Sequence, residues 1–139
     1  MNNTAEPKKN AAPGNSMDTI EKMRFTAGLL DEKQANDIVA LNVAGICGIA
    51  EGLVIVSAGS VRHAQALADH ILAAAKEHGV EYMGMEGYKG GSWILVDLND
   101  VLVHIFHPDT RQFYNLEGLW SEAEHVDTGL ESAGRNESE

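Results

Sequence analysis

Gly59-Ser60 lies between an apolar run, Leu53-Val-Ile-Val-Ser57, and a helix-like stretch that begins at Val61. Glycine at such a junction lets the backbone approach a ligand closely, and a helix N-terminus offers free N–H groups and partial positive charge to a phosphate. Nucleotidyl transfer would also need two carboxylates, spaced by two on one strand face, whose oxygens converge on a metal ion. The matching positions here are Asp97 and Asn99, which is one carboxylate short, and Asp69 is followed by no acid at position 71. With the second acid absent, Gly59-Ser60 reads as a tight strand-to-helix turn with Ser60 as the helix cap.

The histidines are the next candidates. His63 and His70 lie seven apart on one helix-like stretch, His78 closes it, and His104 and His107 end a later β-like run. A zinc centre takes three or four converging ligands. There is no HExxH and no cysteine pair, because Cys47 is the only cysteine. His78 suits the negative end of a helix dipole. His104 alternates with Val103 and Ile105, so it points off one sheet face, in a hydrogen-bonding role rather than a catalytic one. GxSxG, Walker and dinucleotide-binding patterns are missing. Gly87-Tyr-Lys-Gly-Gly91 joins two strands and reads as a flexible hairpin loop. No catalytic residue, metal or cofactor is expected.

Trp93, Leu95 and Asp97 remain, in one row by the two-residue period of a strand. An aromatic, an aliphatic and an acid in line can be core with a polar end. They can equally be an anchor patch, the indole supplying buried area and the carboxylate meeting a basic partner. Position alone leaves both readings open.

The elements that must place these residues follow from periodicity and breakers. Met17, Ile20, Ala27 and Leu30 predict a helix over 17–30, and Asp37-Ile-Val-Ala-Leu-Asn-Val43 a strand. Gly45 and Gly48 interrupt before the run at 53–57, which is apolar throughout and suits a strand covered on both faces. Val61, Ala64, Ala68, Ile71, Leu72 and Ala75 form the stripe of a long helix that Gly79 stops. Val80 to Met85 resumes as a strand. Asn99-Asp100 separates the β-rich runs 93–98 and 101–106, the mark of a tight antiparallel hairpin. Pro108 ends the second of these, and short helices are expected over 111–114 and 115–120. The predicted class is α/β with a mixed sheet and flanking helices, in the order α-β-β-α-β-β-β-α, with a right-handed strand–helix–strand crossover.

Length and charge bound the rest. The 139 residues, 44% of them apolar, fit one domain with a single core. Residues 1–15 read as a disordered leader, 16–121 as the domain, and 122–139 as an acidic disordered tail. The net charge is −11, and acids outnumber bases two to one even within 16–121. Such a surface disfavours phosphate backbones, so direct nucleic-acid binding is not expected and a basic protein is the more natural partner. No signal or transit peptide is visible and no run reaches membrane-spanning length, which predicts a cytoplasmic protein without membrane contact.

Across 17–121 the chain resembles the Iojap-type ribosomal silencing factors, the RsfS family. The residues that carry the likeness are Glu86-Gly87, Trp93-Ile-Leu-Val-Asp97, Asp100-Val-Leu-Val-His-Ile-Phe106, Arg111-Gln-Phe-Tyr-Asn-Leu-Glu117 and Leu119-Trp120. Asp37–Val43, Ile49-Ala50, Val54-Ile55, Arg62 and Ala68-Asp69 agree in order and spacing. Departures fall at Glu51-Gly52, at Ala58-Gly59-Ser60-Val61-Arg62, and at Asn99, where the family commonly has glycine. The resemblance implies a nucleotidyltransferase-like fold without the catalytic acids, and a non-enzymatic homodimer when free. It further implies binding to large-subunit ribosomal protein fourteen, which obstructs joining with the small subunit and represses translation when nutrients are scarce. The implied ribosomal-protein-binding residues are Trp93, Leu95 and Asp97, with Glu86, Gly87, Tyr88 and Lys89 beside them. The rival readings are a ribosome biogenesis factor for the large subunit and a nucleotidyltransferase using Ser60 and Asp97.

Overall fold

Asp18 caps the first helix, α1 (Thr19–Glu32), by accepting from the Glu21 amide while Glu21 reaches back to the Asp18 amide. This capping box sets the helix start two residues later than the apolar pattern predicts. In the computed structural model, residues 17–130 are described. The expected leader at 1–15 lies outside them, as do residues 131–139 of the expected tail.

Two strands follow, β1 (Asn36–Asn42) and β2 (Gly52–Ser57), and then α2 (Val61–His78), capped by Ser60 and ended by Gly79 in the left-handed conformation. The remaining elements are β3 (Gly84–Glu86), β4 (Trp93–Asp97), β5 (Val101–Phe106), α3 (Pro108–Tyr114), α4 (Leu116–Leu119) and β6 (Glu124–His125). They form one six-stranded mixed sheet in the order β3-β4-β5-β2-β1-β6. Only the central β2–β5 pair is parallel; every other pairing is antiparallel.

The sheet has two distinct faces. Ala40, Val54, Val56, Ile94, Val96, Val101, Val103 and Ile105 point to the side where α1 and α2 pack, and these strands meet Met23, Leu30, Leu67, Ala68 and Ile71. Leu41, Leu53, Ile55, Leu102 and Phe106 point the other way, under Leu116, Trp120 and Ala123. α3, α4 and the chain after them cover this second face only in part. β2 and β5 are buried along their whole length, which explains their unbroken apolar runs.

Four further expectations change. The strand predicted over 80–85 is reduced to Gly84–Glu86: Val80 turns inward, its amide bonding the Ala75 carbonyl, and pairing resumes only where Met83 N–H reaches the Asp97 carbonyl. The parallel partner of β2 is consequently β5, not the strand directly after the helix. Residues 122–130, expected as the start of a solvated tail, hold a short strand. Glu124-His125 pairs with β1, the Val126 amide bonds the Ala40 carbonyl, and Ala123 is buried. The acids there point outward while the small apolar residues cover the edge of β1. Also, α3 starts at Pro108, where the missing amide costs nothing, and is capped by His107.

At the far end of the sheet, Lys22 is buried and its ammonium donates to the Leu98 carbonyl and to Asp100. Burial alone would raise the Asp100 carboxyl. The bonds from Lys22 and Thr19 outweigh it and hold the group below its usual range. These bonds fix α1 against the β4–β5 turn, where Asn99 takes a positive φ of 81° as an Asn at this position can.

Candidate functional site

β4 presents alternate residues to the two faces. Ile94 and Val96 are buried towards the helices, and Trp93, Leu95 and Asp97 form a half-buried row on the opposite, partly covered face. The row is therefore neither wholly core nor wholly patch: each side chain has a packed side and a solvent side.

Register places its neighbours. Leu95 pairs with Glu86 on one flank and His104 on the other, and Trp93 pairs with Phe106. The Trp93 indole N–H donates to His104 Nδ1 at 3.0 Å. An acceptor at Nδ1 puts the imidazole proton on Nε2, and burial pushes the ring's pKa down to about 4, so His104 is neutral near pH 7. The indole also lies against Phe106 (4.9 Å between centroids) and Tyr114 (4.7 Å). Its orientation is thus fixed by one hydrogen bond and two rings.

The neighbouring loop divides. Glu86 shares the face of the Trp93 row, and Leu95, Asp97, Glu86 and Met83 line a groove of about 210 Å³. Gly87 has φ +83°, and a side chain there would strike the Trp93 carbonyl oxygen, so glycine is required. Tyr88 leaves the row. Its hydroxyl donates to Asp69 on α2 at 3.0 Å and its carbonyl accepts from Gln65 at 2.8 Å, which draws it to the helical side. The Asp69 bond raises the Tyr88 pKa. Gly91 N–H closes the turn onto the Gly87 carbonyl. The loop expected to be flexible is tied at three points, and of the four residues expected beside the row, Glu86 and Gly87 lie against it. Lys89 is exposed.

Residues that sequence reasoning left out sit on α3. Arg111 donates to Ser57 Oγ at 2.9 Å and to Glu117 through Nε and Nη2, fastening α3 to the end of β2. Tyr114 and Phe113 stand beyond Trp93 as exposed aromatics. The signal for them was the Phe-Tyr pair in a short helix with no apolar stripe to bury.

The features required for nucleotidyl transfer do not come together. Asp97 is level with Leu102 and hence with Leu53, whereas Ser57 is level with Phe106 and Trp93. Ser60 therefore lies beyond the opposite end of the sheet, roughly 13 Å or more along the strands. Its hydroxyl accepts from the His63 amide as a cap, and His63 Nδ1 accepts from the Gly59 amide. Among the described residues no group of three or more His, Cys, Asp or Glu is arranged to hold a metal ion, and no helix is long and apolar enough to cross a membrane.

Such a domain, a mixed six-stranded sheet with helices packed on one face and the other face only partly covered, is of the α/β class. The family model described as "Ribosomal silencing factor during starvation", RsfS, matches residues 16–139. The chain is 42% identical over 105 residues to ribosomal silencing factor RsfS of Bacillus subtilis, covering 76% of this chain and 89% of that one. It is 40% identical over 111 residues to RsfS of Halalkalibacterium halodurans, covering 80% and 95%. A crystal structure of a Chromobacterium violaceum protein superposes with a TM-score of 0.71 at 32% identity, covering 76% of this chain and 88% of that chain. The chain belongs to the RsfS family of Iojap-type ribosomal silencing factors.

Proposed function

We propose that this protein binds the large ribosomal subunit through its ribosomal protein fourteen and blocks joining with the small subunit by occupying the space, without catalysis. The observation that carries the reading is the outward side of the Trp93, Leu95 and Asp97 row, rigidly backed by His104 and Phe106 and edged by Glu86. An aromatic anchor with acids beside it fits a basic partner. The demands are modest. Bridge atoms must approach within about 4 Å, and a domain of about 105 residues has a radius of gyration near 13 Å. A footprint of about 800 Å² on this protein is of ordinary size for a specific complex. Acting on ribosomes places it in the cytoplasm, where it would be a homodimer when free and repress translation when nutrients run short.

Sedimentation of purified subunits through sucrose gradients tests this. With the protein present, it should travel with large subunits and the joined-ribosome peak should shrink. Undiminished joining in a saturating excess would end the reading. A second role, in large-subunit assembly, is favoured by the likeness to "Mitochondrial assembly of ribosomal large subunit protein 1" of Mus musculus, 30% identical over 96 residues. This chain spans 42% of that longer protein. In that case subunits would join freely while precursor particles accumulate on deletion.

A further inference from the structure

Four rings pack in succession outward from the core. Phe106 is fully buried, Trp93 is half-buried against it, Tyr114 (51% exposed) packs on Trp93, and Phe113 (80% exposed) meets Tyr114 edge to face with centroids 5.0 Å apart. A phenylalanine so exposed is unusual when the chain has only three and the other two are drawn into the fold. It is also not on a loose segment. Arg111, one side of α3, is bound to Ser57 and Glu117, while no residue of α3 is buried. Asp109, one turn before Phe113, is exposed on the same side of α3.

We propose that Phe113, backed by Tyr114 and Trp93 and flanked by Asp109, is the anchor that enters an apolar socket rimmed by basic side chains on the ribosomal partner. The proposal rests on the large-subunit reading and moves the centre of contact from β4 to α3, with Trp93 as the support of the ring stack. The helix that carries the ring is fastened before contact, which limits the freedom lost on binding, and aromatics are enriched at the buried centres of interfaces. Charge selects the partner. Asp109, almost fully exposed beside the ring, suits a basic protein surface, which would neutralise it. Leu119, also exposed, extends the apolar area on the neighbouring α4.

The test uses the full chain with purified large subunits, measured by co-sedimentation, and the chain alone by analytical ultracentrifugation. Phe113→Ser should melt as the wild type does yet bind subunits about tenfold or more weakly. Asp109→Lys should weaken binding about fivefold, more at low salt than at high. Wild-type affinity in Phe113→Ser overturns the anchor and leaves subunit binding itself standing. Loss of self-association with subunit binding intact assigns the ring to a second copy and overturns the proposal equally. Failure of the wild-type chain to sediment with subunits removes the broader reading, and this one with it.

Discussion

Trp93 has one polar hydrogen, and His104 takes it. That pairing makes the imidazole an acceptor that must stay unprotonated for the indole to stay where it is. Burial depresses the His104 pKa from 6.5 to about 4, so the unfolded chain takes up the proton before the folded one does. Stability is complete above pH 6.5 and drains as pH falls towards 4, by roughly 3 kcal/mol for a shift of this size. Urea unfolding at pH 7 and pH 4 should show this loss, and His104→Leu should remove most of it. A variant as acid-sensitive as the wild type would mean that His104 is not the group responsible. Asp100, held low by Lys22 and Thr19, adds a loss of the same sign at still lower pH. The alternation of Val103, His104 and Ile105 made the direction of this side chain legible in the sequence. Its partner was not, because joining it to Trp93 needs the β4–β5 register, in which Trp93 stands opposite Phe106 and one diagonal from His104. Lys22 was equally hidden: a lysine on an amphipathic helix reads as solvated, and the Leu98 carbonyl and Asp100 above it, with Glu81 nearby, account for its burial.

Among the elements, α3 leans on one guanidinium. None of its seven residues is buried, so beyond the His107 cap and the Tyr114–Trp93 contact its tie to the sheet is Arg111. Arg111→Ala should therefore free α3 while leaving the sheet intact. Hydrogen exchange should quicken at 108–119 and stay unchanged in β2 and β5, and large-subunit binding should weaken about tenfold. Slow exchange at 108–119 in that variant would show that the ring contacts suffice without the arginine. The helices, the β4–β5 hairpin and the alternation of the Trp93 row were readable from period, caps and the Asn-Asp turn. β6 was not. Its segment is so acidic that composition alone argues for solvent, and the edge of β1 that it covers is a feature of the assembled sheet. The short β3 was overread for a related reason: Val80 is apolar because it is buried at the end of α2, not because it belongs to a strand.

At the scale of the molecule, charge governs encounter. With 21 acids against 10 bases, the chain should be drawn to a basic surface at a distance, before any ring makes contact. Stopped-flow association with large subunits should slow about tenfold or more between low and physiological salt, while dissociation, set by the apolar contact, should change far less. A salt-independent on-rate would remove the electrostatic part of the partner assignment.

The single parallel pair at the centre of the sheet also dictates how the chain must fold. β1–β2 and β4–β5 each join segments close in sequence, but β2 and β5 begin roughly fifty residues apart and meet only after α2 has crossed between them. The two hairpin-like pairs can form from neighbouring chain, whereas the β2–β5 seam, and the β6 edge on β1 at roughly eighty residues' separation, can close only when distant chain returns, so these carry the larger loop-closure cost.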